Sequence, residues 1–178
     1  MKHTDALIRA IIVMGVTGSG KSTLGEALAR ALRWQFVEGD TLHPTANISK
    51  MSAGIPLDDN DRRPFLANVA KALAESRPRG VVVSCSALKR SYRDQIRAGD
   101  PDALFVLPLL SHEQLQERLK GRAGHFMPAA LLDSQLATLE PPSVDELAIR
   151  IPGDEAVDAQ VTRTLAIMAT HLADGLRV

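Results

Sequence analysis

The chain is poor in the features that mark several functional classes. It has a single cysteine, Cys85, in its 178 residues. That excludes a disulfide framework and any metal site built on several thiolates. Cys85 follows the apolar run Val81-Val82-Val83, so it is expected as a small buried residue and not a nucleophile. Aromatic residues make up only 3% of the chain, too few for a base-stacking surface. Net charge is absent as well: 21 Lys and Arg balance 21 Asp and Glu. A nucleic-acid binder draws its affinity from excess positive charge, so that class is not expected. No stretch approaches the roughly 18 consecutive apolar residues that a membrane span needs. The polar start and the short apolar run Ala10-Ile11-Ile12-Val13 do not make a signal segment. A cytoplasmic enzyme is the expectation. Internal repeats and low-complexity segments are also missing.

What is present suits one compact domain spanning residues 1–178, with 45% apolar and 24% charged residues. Strand-like apolar runs at 11–14, 34–37, 81–85, 103–107 and 147–151 alternate with helix-period segments. Helices are expected over 21–33, 59–77, 111–122 and 155–172. The third of these opens on Ser111 with Gln114 three residues on, a capping box. Such alternation predicts an α/β fold with a parallel sheet covered on both faces. Ligands then bind beyond the carboxyl ends of the strands. Two polar, Gly- and Pro-punctuated stretches break the alternation, at about 41–61 and 121–142. Both are expected as irregular insertions, one binding the acceptor and the other forming a lid.

Gly15-Val16-Thr17-Gly18-Ser19-Gly20-Lys21-Ser22 matches G-x-x-x-x-G-K-[ST] in full, between a buried strand and an amphipathic helix. The glycines let backbone N–H groups converge on phosphate oxygens, and the helix beginning near Lys21 adds its positive end. Residues 15–23, from Gly15 to Thr23, are therefore assigned to the phosphates of ATP. Lys21 is expected at the β- and γ-phosphates and Ser22 on Mg²⁺. The base-reading and switch motifs of GTPases are absent, which favours a small-molecule kinase.

Glu38-Gly39-Asp40 closes the second strand, beside the P-loop. Asp40 is the candidate to take the proton of an attacking hydroxyl; the alternative is a helix cap. Glu38 is either a Mg²⁺ ligand through water or likewise a cap. The acceptor-side candidates are Asp40, His43, Lys50, Arg62, Ser86, Lys89, Arg93 and His125. Arginine suits a carboxylate through its planar fork. Arg118 and Arg122 stand four apart on one helix face at the lid hinge, placed to meet adenine and transferring phosphate. The competing view is an ordinary charged surface helix.

Gly39-Asp40-Thr41-Leu42-His43-Pro44, Asn47, Lys50-Met51, Gly54, Pro56-Leu57 and Asp61-Arg62 together resemble the gluconokinases. So do Cys85-Ser86-Ala87-Leu88-Lys89 with Tyr92-Arg93-Asp94, Arg122 with Gly124-His125-Phe126, Ser134-Gln135 and Leu139-Glu140-Pro141. Phe65 stands where the family has Trp, Leu136 where an aromatic is common, and Glu38 where Asp is usual. The resemblance implies ATP- and Mg²⁺-dependent phosphorylation of D-gluconate at its 6-hydroxyl by a homodimer. It also implies a P-loop kinase fold of the nucleoside-monophosphate-kinase type, a five-stranded parallel sheet in the order 2-3-1-4-5. Through the wider group of shikimate and adenylate kinases it places Asp40 on the acceptor hydroxyl and Arg62 on the acceptor's anionic end. Arg118 then stacks on adenine and Arg122 touches the phosphates. A kinase for another small acid or a nucleotide, or a non-catalytic ATP-binding switch, are the rival readings.

Overall fold

The computed structural model describes residues 8–121 and 129–173. In chain order the elements begin with β1 (Ala10–Val13), α1 (Lys21–Leu32) and β2 (Gln35–Glu38). A 3₁₀ turn (Gly39–Leu42) leads to α2 (Thr45–Ser52) and α3 (Asp59–Ser76). Then come β3 (Val81–Ser84), α4 (Arg90–Arg97), β4 (Leu104–Leu109) and α5 (His112–Lys120). The chain continues with α6 (Ala129–Thr138), β5 (Ala148–Pro152) and α7 (Val157–Ala173).

The strands form one five-stranded sheet in the order β2-β3-β1-β4-β5, and every pairing is parallel. This is the expected order. β1 and β3 are buried at every position, which is why they read as unbroken apolar runs. Alternate residues of β1 serve opposite layers. Ile12 and Met14 pack with Phe65, Leu66, Val69 and Leu73 of α3 and with Tyr92 and Ile96 of α4. Ile11 and Val13 pack with Leu24 and Leu28 of α1, with Leu165 and Met168 of α7 alongside. Each fully buried side chain of this size stabilises the fold by about 1.5–3 kcal/mol. A smaller cluster of Val16, Leu88, Leu115 and Leu132 seats α5 and α6 against the P-loop.

Both stretches expected as irregular contain helix. Residues 41–61 carry α2, and residues 121–142 carry α6. The only residue α2 buries is the polar Asn47, while its Ile48 and Met51 are exposed, so it shows no apolar period. α4 was not expected either: it buries Tyr92, Arg93 and Ile96, and a buried arginine hides an apolar stripe. The capping box of α5 is present as expected, Ser111 with Gln114. A second one, Asp58 with Asp61, starts α3.

Candidate active site

The carboxyl ends of β1, β2 and β3 meet at one edge, as their register requires. β1 runs directly into the P-loop. Its Gly15, Gly18 and Gly20 have φ of 130°, 78° and 87°, a region costly for other residues. The loop is tied back on itself and to β3: Ser19 Oγ donates to Val16 O at 2.8 Å, and Gly15 N to Ser86 O at 3.1 Å. Lys21 Nζ donates to Val16 O at 2.9 Å. Ser22 lies in the first turn of α1, where the helix dipole favours anions.

β2 delivers Glu38, Gly39 and Asp40. Gly39 is required here because a Cβ would stand 1.9 Å from the carbonyl oxygen of Ser84. That close approach brings the Ser84 hydroxyl to the Gly39 amide at 3.2 Å and to the Glu38 carboxylate. Asp40 follows inside the 3₁₀ turn and is not a helix N-cap. Its carboxylate is exposed and makes no hydrogen bond or ion pair among the described residues.

The acceptor-side candidates among the described residues come from the segments that follow β2 and β3. Lys21, Asp40 and Arg62 all act electrostatically on Cys85, which places their charges about one point. The thiol itself is buried, and burial pushes it up to about 12, so it is inert, as expected. His43 stacks on Phe65 with ring centroids 3.7 Å apart and planes within 7°. The Arg62 guanidinium lies over the Tyr92 ring at 5.8 Å and makes no hydrogen bond or salt bridge among the described residues. Lys89 also lies near that ring, at 5.3 Å, and pairs with Asp59 at 3.0 Å. Tyr92 Oη donates to Asp59 at 2.5 Å. That bond, then Lys89, holds the Asp59 carboxyl below its ordinary range.

Two candidates have other work. Arg93 is 1% exposed, and its guanidinium is taken up by Glu146 and by the carbonyls of Ala87 and Leu88. It is a buried support and not a surface contact for substrate. Lys50 binds both oxygens of Asp61, at 2.7 and 2.8 Å, pinning α2 to the start of α3. The Asp61 hydrogen bond holds Lys50 above its ordinary value, and Lys50 holds Asp61 below its own.

On the nucleotide side, Arg118 reaches from α5 across the P-loop. Its Nη1 donates to Ser19 O at 3.4 Å and its Nη2 to Gly153 O at 2.6 Å. It thus stands between the P-loop and the turn after β5. Arg122 and His125 lie outside the described residues. Residues without an assigned role in the sequence also enter the site. Gln135 of α6 accepts a hydrogen bond from the Thr17 amide at 2.6 Å. Asp59 and Tyr92 form the Lys89 and Arg62 platform, and Asn47 bonds His43. Of these, Gln135, Tyr92 and Asn47 lie in the blocks that carry the resemblance.

Among the described residues no three His, Cys, Asp or Glu side chains cluster as metal ligands. Mg²⁺ does not need such a cage. It keeps several waters and takes one or two protein oxygens plus phosphate, and the hydroxyl of Ser22 with the carboxylate of Glu38 fits that donor set.

The AAA domain family matches residues 11–142. The chain is 52% identical over 152 residues to the gluconokinase of Gluconobacter oxydans, covering 84% of this chain and 85% of that one. It is 46% identical over 140 residues to the thermosensitive gluconokinase of Escherichia coli, covering 77% and 74%. The crystal structure of a gluconokinase from Sinorhizobium meliloti superposes with a TM-score of 0.85 at 49% identity, covering 93% and 94%. Shikimate kinase from Aquifex aeolicus shares the fold at 17% identity and a TM-score of 0.57, with 91% and 97% covered. With a phosphate-binding loop, a carboxylate at the same sheet edge that has no partner among the described residues, and relatives this similar along most of its length, the chain belongs to the gluconokinase family.

Proposed function

We propose that the protein transfers the γ-phosphoryl group of ATP to the 6-hydroxyl of D-gluconate, giving 6-phospho-D-gluconate and ADP. The observation that carries this reading is the exposed Asp40 carboxylate just after β2, without a hydrogen bond or ion pair among the described residues and at the same sheet edge as the P-loop. The P-loop amides and Lys21 hold the phosphates and spread their charge. Asp40 accepts the proton as the acceptor oxygen bonds to phosphorus and the bond to ADP breaks. Arg62, with no acidic partner among the described residues, takes the carboxylate of the acceptor, with His43, Ser86 and Lys89 toward its hydroxyls. Arg118 lies against adenine, and Arg122 and His125 serve the phosphates and acceptor from the lid. Ser22 and Glu38 would hold Mg²⁺, which supplies charge neutralisation at the phosphates.

The test is a panel of sugar acids, shikimate and nucleoside monophosphates with ADP release as readout. Gluconate is expected to be the preferred acceptor. Preference for another acid or a nucleotide transfers the assignment to that substrate, and ADP release without any acceptor makes the chain an ATP-binding switch. No helix among the described residues is long and apolar enough to cross a membrane. The family resemblance further supports a cytoplasmic homodimer; light scattering on the purified protein checks the dimer.

A further inference from the structure

Asn47 is 2% exposed, a polar side chain enclosed where α2 meets α3. Its amide nitrogen is identified by its partner. Nδ2 lies 2.8 Å from the carbonyl oxygen of Asp61, which can only accept. The same nitrogen stands 3.3 Å from Nδ1 of His43. Nδ2 has only hydrogens to offer, so Nδ1 must present its lone pair. The ring plane is already fixed by the stack on Phe65, itself 3% exposed. Nε2 has no hydrogen-bond partner among the described residues.

We propose that Asn47 is a positioning residue that locks His43 as the neutral tautomer protonated on Nε2, so that Nε2–H donates a hydrogen bond to an oxygen of the acceptor. The lock works by exclusion. Protonating Nδ1 sets two donors face to face. Turning the Asn47 amide over to relieve this sets its oxygen against the Asp61 carbonyl. Either outcome forfeits a partly buried hydrogen bond. The surrounding groups act in the same sense on balance: burial, aided by the Arg62 charge, lowers the His43 pKa against the opposing pull of Asp40. Lys50, on the same helix, is neutralised by Asp61.

The consequence is a separation of roles next to the reacting hydroxyl. An imidazolium at His43 would attract the Asp40 carboxylate and weaken it as a proton acceptor. A neutral Nε2–H donor orients substrate without placing a positive charge against the Asp40 carboxylate. This step rests on the proposed gluconate kinase activity; the tautomer does not.

The experiment therefore has two arms. In the first, long-range ¹H–¹⁵N spectra of the intact protein are recorded at neutral pH, with His43→Gln to assign the signals. Nδ1 is expected to resonate as an unprotonated nitrogen and Nε2 as a protonated one. A protonated Nδ1, alone or in an imidazolium, overturns the proposal. In the second arm, Asn47→Asp supplies an acceptor to Nδ1. The tautomer should invert and the His43 pKa rise by about one unit or more. The acid limb of kcat/KM for gluconate moves to higher pH by the same amount, while KM for ATP holds. Should the aspartate prevent folding, Asn47→Ser removes the lock and raises KM for gluconate about five- to tenfold. A folded Asn47→Ser protein with the tautomer and the pH profile of the parent overturns the proposal. If gluconate is not phosphorylated at all, the spectra of the parent and Asn47→Ser decide the lock alone, and only the assigned substrate falls.

Discussion

The guanidinium of Arg93 and the carboxylate of Glu146 form a two-point pair, Nε to Oε2 at 2.6 Å and Nη2 to Oε1 at 2.8 Å, with both side chains 1% exposed. The pair joins parts of the site that are distant in sequence. Arg93 Nη1 holds the carbonyls of Ala87 and Leu88 at 3.1 and 3.3 Å. Ala87 has φ of 43°, a strained value for a residue with a side chain, in the loop that presents Ser86 and Lys89. Glu146 accepts from the Ser143 amide at 3.0 Å and so fixes the segment after α6.

Removing Glu146 leaves the Arg93 guanidinium buried with no acid beside it, whereas removing Arg93 leaves Glu146 the longer pairs with Arg97 at 3.3 Å and Arg90 at 3.8 Å. Glu146→Leu is expected to cost about 3–5 kcal/mol in urea unfolding, and Arg93→Leu less than that. The double substitution Arg93→Met with Glu146→Leu should be less damaging than either alone. Single losses below about 1 kcal/mol would show that the pair does not hold these loops.

The same pair sets a pH dependence. Burial by itself would raise the Glu146 carboxyl. The Arg93 hydrogen bond, the Ser143 amide and the charge of Arg93, with Arg97 in support, outweigh it and hold the group at about 2, below its ordinary 4.5. A group depressed on folding stabilises fully above its unfolded value. The contribution is therefore complete above pH 4.5 and lost as pH falls from there toward about 2. Urea midpoints measured from pH 6 down to pH 3 should fall in that window, and Glu146→Gln should flatten the fall. Parallel curves for the two proteins would remove Glu146 from the acid response.

Arg93 also shows where the sequence stopped being legible. The P-loop and the parallel sheet were readable because they rest on local spacing and on β-strands buried on both faces, while the strand order came with the family resemblance. The place of Asp40 at the carboxyl end of β2 was readable because it follows a strand end. Arg93 and Lys50 were not, since a charged residue in a sequence carries no sign of whether its partner lies in solvent or 53 residues away at Glu146. Asn47 and Gln135 were visible as members of a familiar block, but their work depends on which donor faces which acceptor. Only the fold decides that.

Gln135 illustrates the point in a testable way. Its Oε1 takes the Thr17 amide hydrogen at 2.6 Å, within the loop assigned to phosphates. One N–H cannot serve Gln135 and a phosphate oxygen fully at once. Gln135→Ala is expected to tighten ADP binding about two- to tenfold by freeing that donor. Calorimetric titration of ADP checks it. Weaker binding in the variant would mean that Gln135 shapes the loop for phosphate instead of competing with it.

The proposed transfer puts Lys21 and Asp40 on opposite sides of the moving phosphoryl group, so their substitutions should separate. Lys21 now bonds the carbonyl of Val16 at 2.9 Å, a neutral partner that a phosphate readily replaces. Lys21→Ala should weaken nucleotide binding and turnover together. Asp40→Asn keeps the shape of the 3₁₀ turn but removes the proton acceptor. Nucleotide affinity should hold while kcat falls about 10²-fold or more. Nucleotide titrations beside gluconate turnover measure both. Unchanged turnover in Asp40→Asn would take the carboxylate out of the chemistry, and unchanged affinity in Lys21→Ala would take the ammonium off the phosphates. Because the two losses differ in kind, a general disturbance of the site cannot imitate the pattern.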